Sequence, residues 1–394
     1  MNNQLFQKKY LNRLSSIEFV ISEKCQNACK YCYRVKHHNK SKITHISIDD
    51  FKLMFNNIST LFNKNIYKYK TIELFGGDPV LNYDILCKIF KFLNKELSTG
   101  LIVIPTNSRL IQELTFNDIR KMQKYAGNIR VAFSLSVDGE IIDSNRELSK
   151  YGKMHCYDTN IDYDYLKILI TKFGKLFAFH PMLHFNTVET WEPTIKFFYE
   201  KFKLVPYLLE VRHSVSSEDA IKAVNQLVNI RKYLKSLDKY KNKTNFGNTI
   251  SPSICPRGLG CSGLTTLCIM PNGDIPFCHR LVETPYVYGN IYKKQFNKEM
   301  AITYTSLFDF HNLPLCMECV IRNICSGQCL GANFEYWGDA FIMNPTICNY
   351  FKLKNYAMYN NFKSWKKTLS NQIDYNRLKT EIKMIFGDDI DDKI

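Results

Sequence analysis

The sequence predicts an α/β fold, a parallel barrel or sheet, followed by a cysteine-rich module and C-terminal helices. Three observations lead there. Six β-prone runs alternate with helical periodicity between residues 16 and 235. A Gly, Asn, Ser and Pro stretch at 245–256 then opens a region dense in cysteine, and amphipathic periodicity returns from Asn349 to Phe386. The expected boundaries are 1–244, 245–350 and 351–394.

The first strand is Ser16 to Ile21, and it delivers Cys25-x3-Cys29-x2-Cys32. A four-iron cubane needs one ligand per iron, so three thiols leave one iron open; the alternative is a zinc site completed by His37 or His38. Ser47 and Asp50 form a capping box ahead of a helix carrying Phe51, Met54, Phe55, Ile58, Leu61 and Phe62. Thr71 to Phe75 is the second strand, ending in Gly76-Gly77-Asp78-Pro79 before a helix with Ile85, Leu86, Ile89, Phe90 and Leu93, on whose apolar face Cys87 reads as core. Leu101 to Ile104 is the third strand, followed by Thr106-Asn107-Ser108 and a helix ending near Gly127. Arg130 to Leu135 is the fourth, leading into Ser136-Val137-Asp138-Gly139. A helix around Tyr163 to Ile170, a fifth strand near Leu176 to Met182, a helix from Trp191 to Phe202, a sixth strand from Tyr207 to Val211 and a helix from about Ser217 to Lys235 complete the set. In such an architecture active sites sit where strands end, and each distinctive tetrapeptide falls at a strand end.

Composition narrows the class. Of 394 residues 45% are hydrophobic and 23% charged, the balance of a soluble globular protein. The N-terminus lacks the apolar core of a secretory signal and no long uncharged apolar run follows, so a cytoplasmic location without a membrane is expected. In that compartment 14 cysteines point to metal or cluster ligation, not disulfides. The formal charge of +16 is spread over nearly every helix without a basic run interleaved with aromatics, so nucleic acid is not an expected partner.

The cysteine triplet, the Gly-Gly-Asp-Pro turn and the repeated β-α units together resemble the radical S-adenosylmethionine (radical SAM) superfamily. The resemblance implies a partial (β/α)6 TIM-like barrel in which Cys25, Cys29 and Cys32 hold a 4Fe-4S cluster whose open iron is chelated by S-adenosyl-L-methionine (SAM). It further implies that Tyr31 packs near the adenine and that Gly76 and Gly77 let the backbone approach the ligand. Asp78, followed by Pro79, would accept from the methionine ammonium where the family usually has Glu. Asn107 and Ser136 match positions contacting the methionine or ribose, and Arg146, near Asp138 and Asp143, would pair with the SAM carboxylate. Downstream, Cys261-x11-Gly273-x4-Cys278, Cys316-x2-Cys319-x5-Cys325-x3-Cys329 and Cys348 resemble the SPASM iron-sulfur extension, and Cys255 brings the thiols to eight. By similarity to anaerobic sulfatase-maturing enzymes, Cys255, Cys261, Cys278 and Cys329 would hold one auxiliary 4Fe-4S cluster and Cys316, Cys319, Cys325 and Cys348 another, three clusters in all; two zinc ions are the bland alternative. Cys268, in Leu267-Cys268-Ile269-Met270, reads as a buried strand residue, and Cys156 is unassigned.

The function these features imply is reductive cleavage of SAM to a 5′-deoxyadenosyl radical that abstracts hydrogen and oxidatively modifies a peptide or protein side chain, for example a thioether or C–C cross-link as in ribosomal-peptide maturases. An electron donor such as flavodoxin or ferredoxin is implied. A separate N-terminal leader-binding module is not expected in the short stretch before Cys25. His279 follows Cys278 where sulfatase-maturing enzymes place an Asp proposed as base; imidazole is a candidate catalytic proton acceptor, and the departure disfavours formylglycine formation. Other readings are dehydrogenation of a small alcohol or sugar and a zinc-stabilised binding protein. His155, His180, His184, Glu210, Arg212 and His213 stand near strand ends, as cavity or as packing residues.

Overall fold

The structure, a computed structural model, describes residues 3–34, 45–62, 64–67, 70–139, 145–155, 160–206, 208–210, 214–238, 264–307, 313–325 and 327–394. The chain divides into two units, 1–180 with 262–305 and 181–261 with 306–394. This division differs from the three consecutive segments read from the sequence, because a strand from the cysteine-rich stretch joins the first sheet.

The first unit is built on a six-stranded parallel sheet in the order β5-β4-β3-β2-β1-β8. Its strands are β1 (Ser16–Ser22), β2 (Thr71–Gly76), β3 (Gly100–Asn107), β4 (Ile129–Ser136), β5 (Phe177–Phe179) and β8 (Thr266–Ile269). β1 is buried along its whole length, as befits a central strand covered on both faces. The helices Ile48–Phe62 and Tyr83–Glu96 follow β1 and β2, and most of their periodic apolar residues are buried, Cys87 with them, while Leu61 and Ile85 are half-buried. The Ser47–Asp50 capping box forms as expected, with Asp50 N donating to Ser47 Oγ at 3.0 Å and Ser47 N to Asp50 Oδ2 at 3.3 Å. Because β1 to β4 run parallel, the residues that follow them collect at one edge of the sheet.

The sixth strand is not the expected one. Among the described residues β7 (Leu209–Glu210) pairs with β6 (Met182–Leu183) alone, as a two-stranded parallel sheet of the second unit. The free edge of β1 is filled instead by β8, in register Ser16 with Thr266 through Phe19 with Ile269. Two-residue strands offer little ladder, whereas Leu267, Cys268 and Ile269 are all buried. The first unit also holds the antiparallel sheet of β9 (Asp274–Pro276), β10 (Val287–Asn290) and β11 (Gln295–Phe296).

The second unit is helical. Trp191–Phe202, Ser217–Ser236, Pro345–Asn361 and Tyr375–Phe386 surround one core with Trp191, Leu227, Tyr350, Tyr356, Leu378 and Ile382 in it. Glu210 lies within this unit as a buried acceptor, taking Tyr350 Oη at 2.6 Å and Lys354 Nζ at 3.1 Å. Among the described residues no helix is long and apolar enough to cross a membrane.

Candidate functional site

The loop leaving β1 is stitched to residues 145–149 by backbone hydrogen bonds. Ala28 N donates to Glu147 O at 2.7 Å, Lys30 N to Asn145 O at 2.9 Å and Ser149 N to Gln26 O at 2.8 Å; Ser149 Oγ adds a bond to Cys25 O at 2.8 Å. A Cβ on Gly152 would stand 2.2 Å from Gln26 O, so only glycine permits this approach. The loop holds Cys25, Cys29 and Cys32 within each other's field. Burial, then Asp78 and Cys29, pushes the Cys25 thiol well up, and burial followed by Cys29 pushes Cys32 up to about 11. Burial raises Cys29 too, against the pull of Arg146. As free groups these thiols stay protonated at neutral pH, and a metal centre is what would draw out the thiolates. Among the described residues no three His, Cys, Asp or Glu side chains converge as a single ion would require. Three thiols on one short loop are a donor set that a multi-iron cluster takes.

Gly76, Gly77 and Asp78 secure this loop. A Cβ on Gly76 (φ +144°) would lie 1.9 Å from Ser22 O, and one on Gly77 2.1 Å from Lys24 O. Gly77 N and Asp78 N donate to those same carbonyls at 2.8 and 2.9 Å. The sequence assigned the glycines to approach of a ligand; the approach seen is to the chain just before Cys25. Asp78 is completely buried. Its Oδ1 accepts from Val80 N at 3.0 Å and Thr106 Oγ1 at 2.7 Å, its Oδ2 from Asn107 N at 2.9 Å and Gln26 Nε2 at 3.4 Å. Burial pushes its carboxyl up to about 6 although these bonds oppose the shift. Both oxygens are thus committed within the chain, which leaves no lone pair directed to a ligand ammonium. Pro79 is buried at the first position of the turn that Asp78 caps.

Asn107 ends β3 opposite Ser136 on β4. Asn107 Oδ1 accepts from Gln26 Nε2 at 2.7 Å and Arg109 N at 3.2 Å, while its Nδ2 is buried without a hydrogen-bond partner, as are Gln26 Oε1 and Asn145 Nδ2. Orphaned donors and acceptors beside the cysteine loop fit a polar ligand. Gln26 and Asn145 went unnoticed in the sequence, although Gln26 lies inside the Cys-x3-Cys spacing. Arg109, also missed, is buried and donates from Nη1 to Asn27 Oδ1 at 2.9 Å and Arg146 O at 3.2 Å.

Tyr31 and Arg146 meet on Asp138. Tyr31 Oη donates to Asp138 Oδ2 at 3.0 Å, and Arg146 grips the same carboxylate through Nε at 2.7 Å and Nη2 at 2.9 Å. The fork is therefore occupied and not open to a ligand carboxylate. Asp143, His37, His38, Cys156, Arg212 and His213 lie outside the described residues.

His279 belongs to the first unit. Its Nδ1 lies 3.0 and 2.8 Å from the two oxygens of Glu18, and its ring is sandwiched between Phe75 (4.6 Å) and Tyr33 (5.3 Å). Glu18 is in register with Glu73 on one side and Cys268 on the other, and Cys268 Sγ donates to it at 3.2 Å. Burial, then the Glu18 charge, pushes Glu73 up to about 7. An acidic residue at the same register on each of two neighbouring strands, one of them fully buried, was the unread signal. His180 is held neutral, pushed down to about 4 by burial, with Nδ1 3.3 Å from Ser134 Oγ. His184 caps a short helix by accepting from Asn186 N at 3.1 Å, and the His155 ring tilts on Tyr151.

In the second unit Cys316, Cys319, Cys325 and Cys348 line one cavity of about 250 Å³. Burial, then Cys325 and Cys319, pushes Cys316 up to about 11; burial, then Cys319, does the same to Cys348. Gly327 N points to Cys325 Sγ at 3.3 Å and Gln328 Nε2 to Cys348 Sγ at 2.9 Å. Four thiols along one cavity, two of them facing N–H donors, are a donor set that fits a cluster. Of the other four, Cys255 and Cys261 lie outside the described residues, Cys278 is buried in the first unit, and Cys329 lines a separate cavity of about 190 Å³ in the second.

Residues 17–156 match a family described as a 4Fe-4S single cluster domain. Over 382 residues the chain is 24% identical to the radical SAM cyclopropyl synthase TigE of Paramaledivibacter caminithermalis, covering 88% of this chain and 75% of that protein. Among solved structures it superposes on anSMEcpe with bound AdoMet and Cp18Cys peptide with a TM-score of 0.64 and 18% identity, over 94% of this chain and 99% of that one. For SuiB of Streptococcus suis bound to precursor peptide SuiA, the TM-score is 0.55 at 14% identity, over 85% and 76%. At such identities the structural likeness establishes the fold.

Proposed function

We propose that this chain is a radical SAM protein of the SPASM type that cleaves SAM reductively and oxidatively modifies a peptide or protein side chain, by a thioether or carbon–carbon cross-link. One observation supports the reading above the others: three thiols on the loop after β1 stand beside orphaned polar groups, and four more line one cavity. When bound, a 4Fe-4S cluster with SAM supplies a 5′-deoxyadenosyl radical able to take an unactivated hydrogen.

The residues have separable tasks. Cys25, Cys29 and Cys32 hold the open cluster. Asn107, Gln26, Asn145 and Ser136 line the adjoining ligand site, and Gly76, Gly77, Asp78 and Pro79 fix the loop's position. Tyr31 is oriented by its bond to Asp138. Cys316, Cys319, Cys325 and Cys348 would hold one auxiliary cluster, and a further auxiliary cluster is carried over from the resemblance. His279, its Nδ1–H donated to Glu18 and its ring clamped by Phe75 and Tyr33, presents Nε2 as proton acceptor for the oxidised substrate. The peptide class is supported by the peptides bound to the two structural relatives. Flavodoxin or ferredoxin would supply the electron, in a cytoplasm that keeps the thiols reduced.

The test is anaerobic incubation of the purified protein with SAM and a strong reductant. Release of 5′-deoxyadenosine is expected, with about 12 irons per chain for three cubanes. A colourless protein holding zinc and releasing none would overturn the reading.

A further inference from the structure

Arg146 is used fully by the chain itself. Two of its nitrogens, Nε and Nη2, bind Asp138, and the third, Nη1, sits 4.0 Å from Cys29 Sγ. Asp138 is held in turn by Tyr31, whose ring centroid lies 5.2 Å from the guanidinium. Arg146 and Asp138 are only 4% and 1% exposed, so solvent screens neither charge. Asp138 grips the edge of the guanidinium that does not face the sulfur, which leaves the N–H and its positive charge directed at Cys29.

We propose that Arg146, pinned by Asp138, is a positioning residue that raises the reduction potential of a cluster on Cys25, Cys29 and Cys32, an inference that rests on the cluster reading above. One electron from an external low-potential donor enters the cluster; no bond forms or breaks and no proton moves. The reduced cluster carries one more negative charge, shared by its sulfurs. A buried N–H donor and cation at one sulfur therefore favour the reduced form. Arg109, tied to Asn27 Oδ1 and the Arg146 carbonyl, fixes the peptide on which this contact depends.

The experiment is a redox titration of the holoprotein without SAM, followed by electron paramagnetic resonance. The signal belonging to this cluster is identified in a parallel sample as the one SAM alters. Arg146→Met with Asp138→Asn removes donor and counter-charge together, so no unpaired charge is left buried. The reduction equilibrium constant should fall about tenfold, or about 59 mV for one electron, while SAM affinity changes less than threefold. Arg146→Lys, which keeps the charge and loses the fork, should shift the potential in the same direction by less; it alone decides if the double variant fails to assemble. An unchanged potential with SAM affinity lost many-fold would overturn the proposal and return Arg146 to pairing with the SAM carboxylate. A wild-type protein with no SAM-responsive signal would overturn the cluster reading itself.

Discussion

Asp78→Glu offers a sharp division between two roles for this carboxylate. Glutamate would restore the residue usual in the radical SAM turn, so a carboxylate that binds the ligand ammonium should gain reach and SAM affinity. The structure argues otherwise. Asp78 is 0% exposed and takes two donors on each oxygen, from Val80 and Thr106 on one and Asn107 and Gln26 on the other. An added methylene must displace at least one of these elements, and overpacking of this kind costs about 1–3 kcal/mol. Asp78→Ala fails differently, stranding the four donors at about 1 kcal/mol or more each. Denaturant unfolding of the protein and a SAM titration of the reconstituted enzyme report both quantities. Asp78→Glu is expected to lower the unfolding midpoint and weaken cluster retention, since Gln26 lies between Cys25 and Cys29. Unchanged stability with tighter SAM binding would refute the positioning role.

Other expectations follow from the same geometry. Glu73 holds its proton more tightly when folded, about 7 against an ordinary 4.5, so its contribution is favourable below about pH 4.5 and is eroded as pH rises through 7. Glu73→Gln should flatten the pH dependence of the unfolding midpoint across that window and add up to about 3 kcal/mol near neutrality; an unaltered slope would count against it. Gly152→Ala drives a Cβ to 2.2 Å from Gln26 O and should cost cluster occupancy on the Cys25 loop, read as iron content, with near-normal secondary structure by circular dichroism. Cys348→Ala should remove about four irons and leave SAM cleavage measurable, whereas full iron content would show that the 250 Å³ cavity is not a cluster site.

The sequence made the β1-to-β4 repeats legible because helix periodicity, capping boxes and strand runs are local signals. Ser47 with Asp50 and the buried stripe Phe51, Met54, Phe55 and Ile58 are examples. Cys268 was rightly read as a buried strand residue. Its partner was not, since parallel pairing of Glu18 with Cys268, 250 residues apart, leaves no periodic trace in either segment. The grouping of Cys316, Cys319, Cys325 and Cys348 comes from spacing by resemblance, and all four line one cavity together with residues such as Arg322, Phe351 and Lys352 that the spacing does not reveal. Motif identity said less about what each side chain touches. Asp78 and Arg146 were placed on a ligand, yet their charged ends are satisfied by Thr106, Asn107 and Asp138, whose approach depends on the tertiary fold.

The most direct measurement compares wild type with the combined Cys25→Ala, Cys29→Ala and Cys32→Ala variant, both anaerobically reconstituted, for 5′-deoxyadenosine released from SAM under reductant. Wild type should release it, and the variant should release none while keeping the iron of its auxiliary cysteines. Equal release by both proteins, or by neither, would contradict the assignment of an open three-thiol cluster at the end of β1.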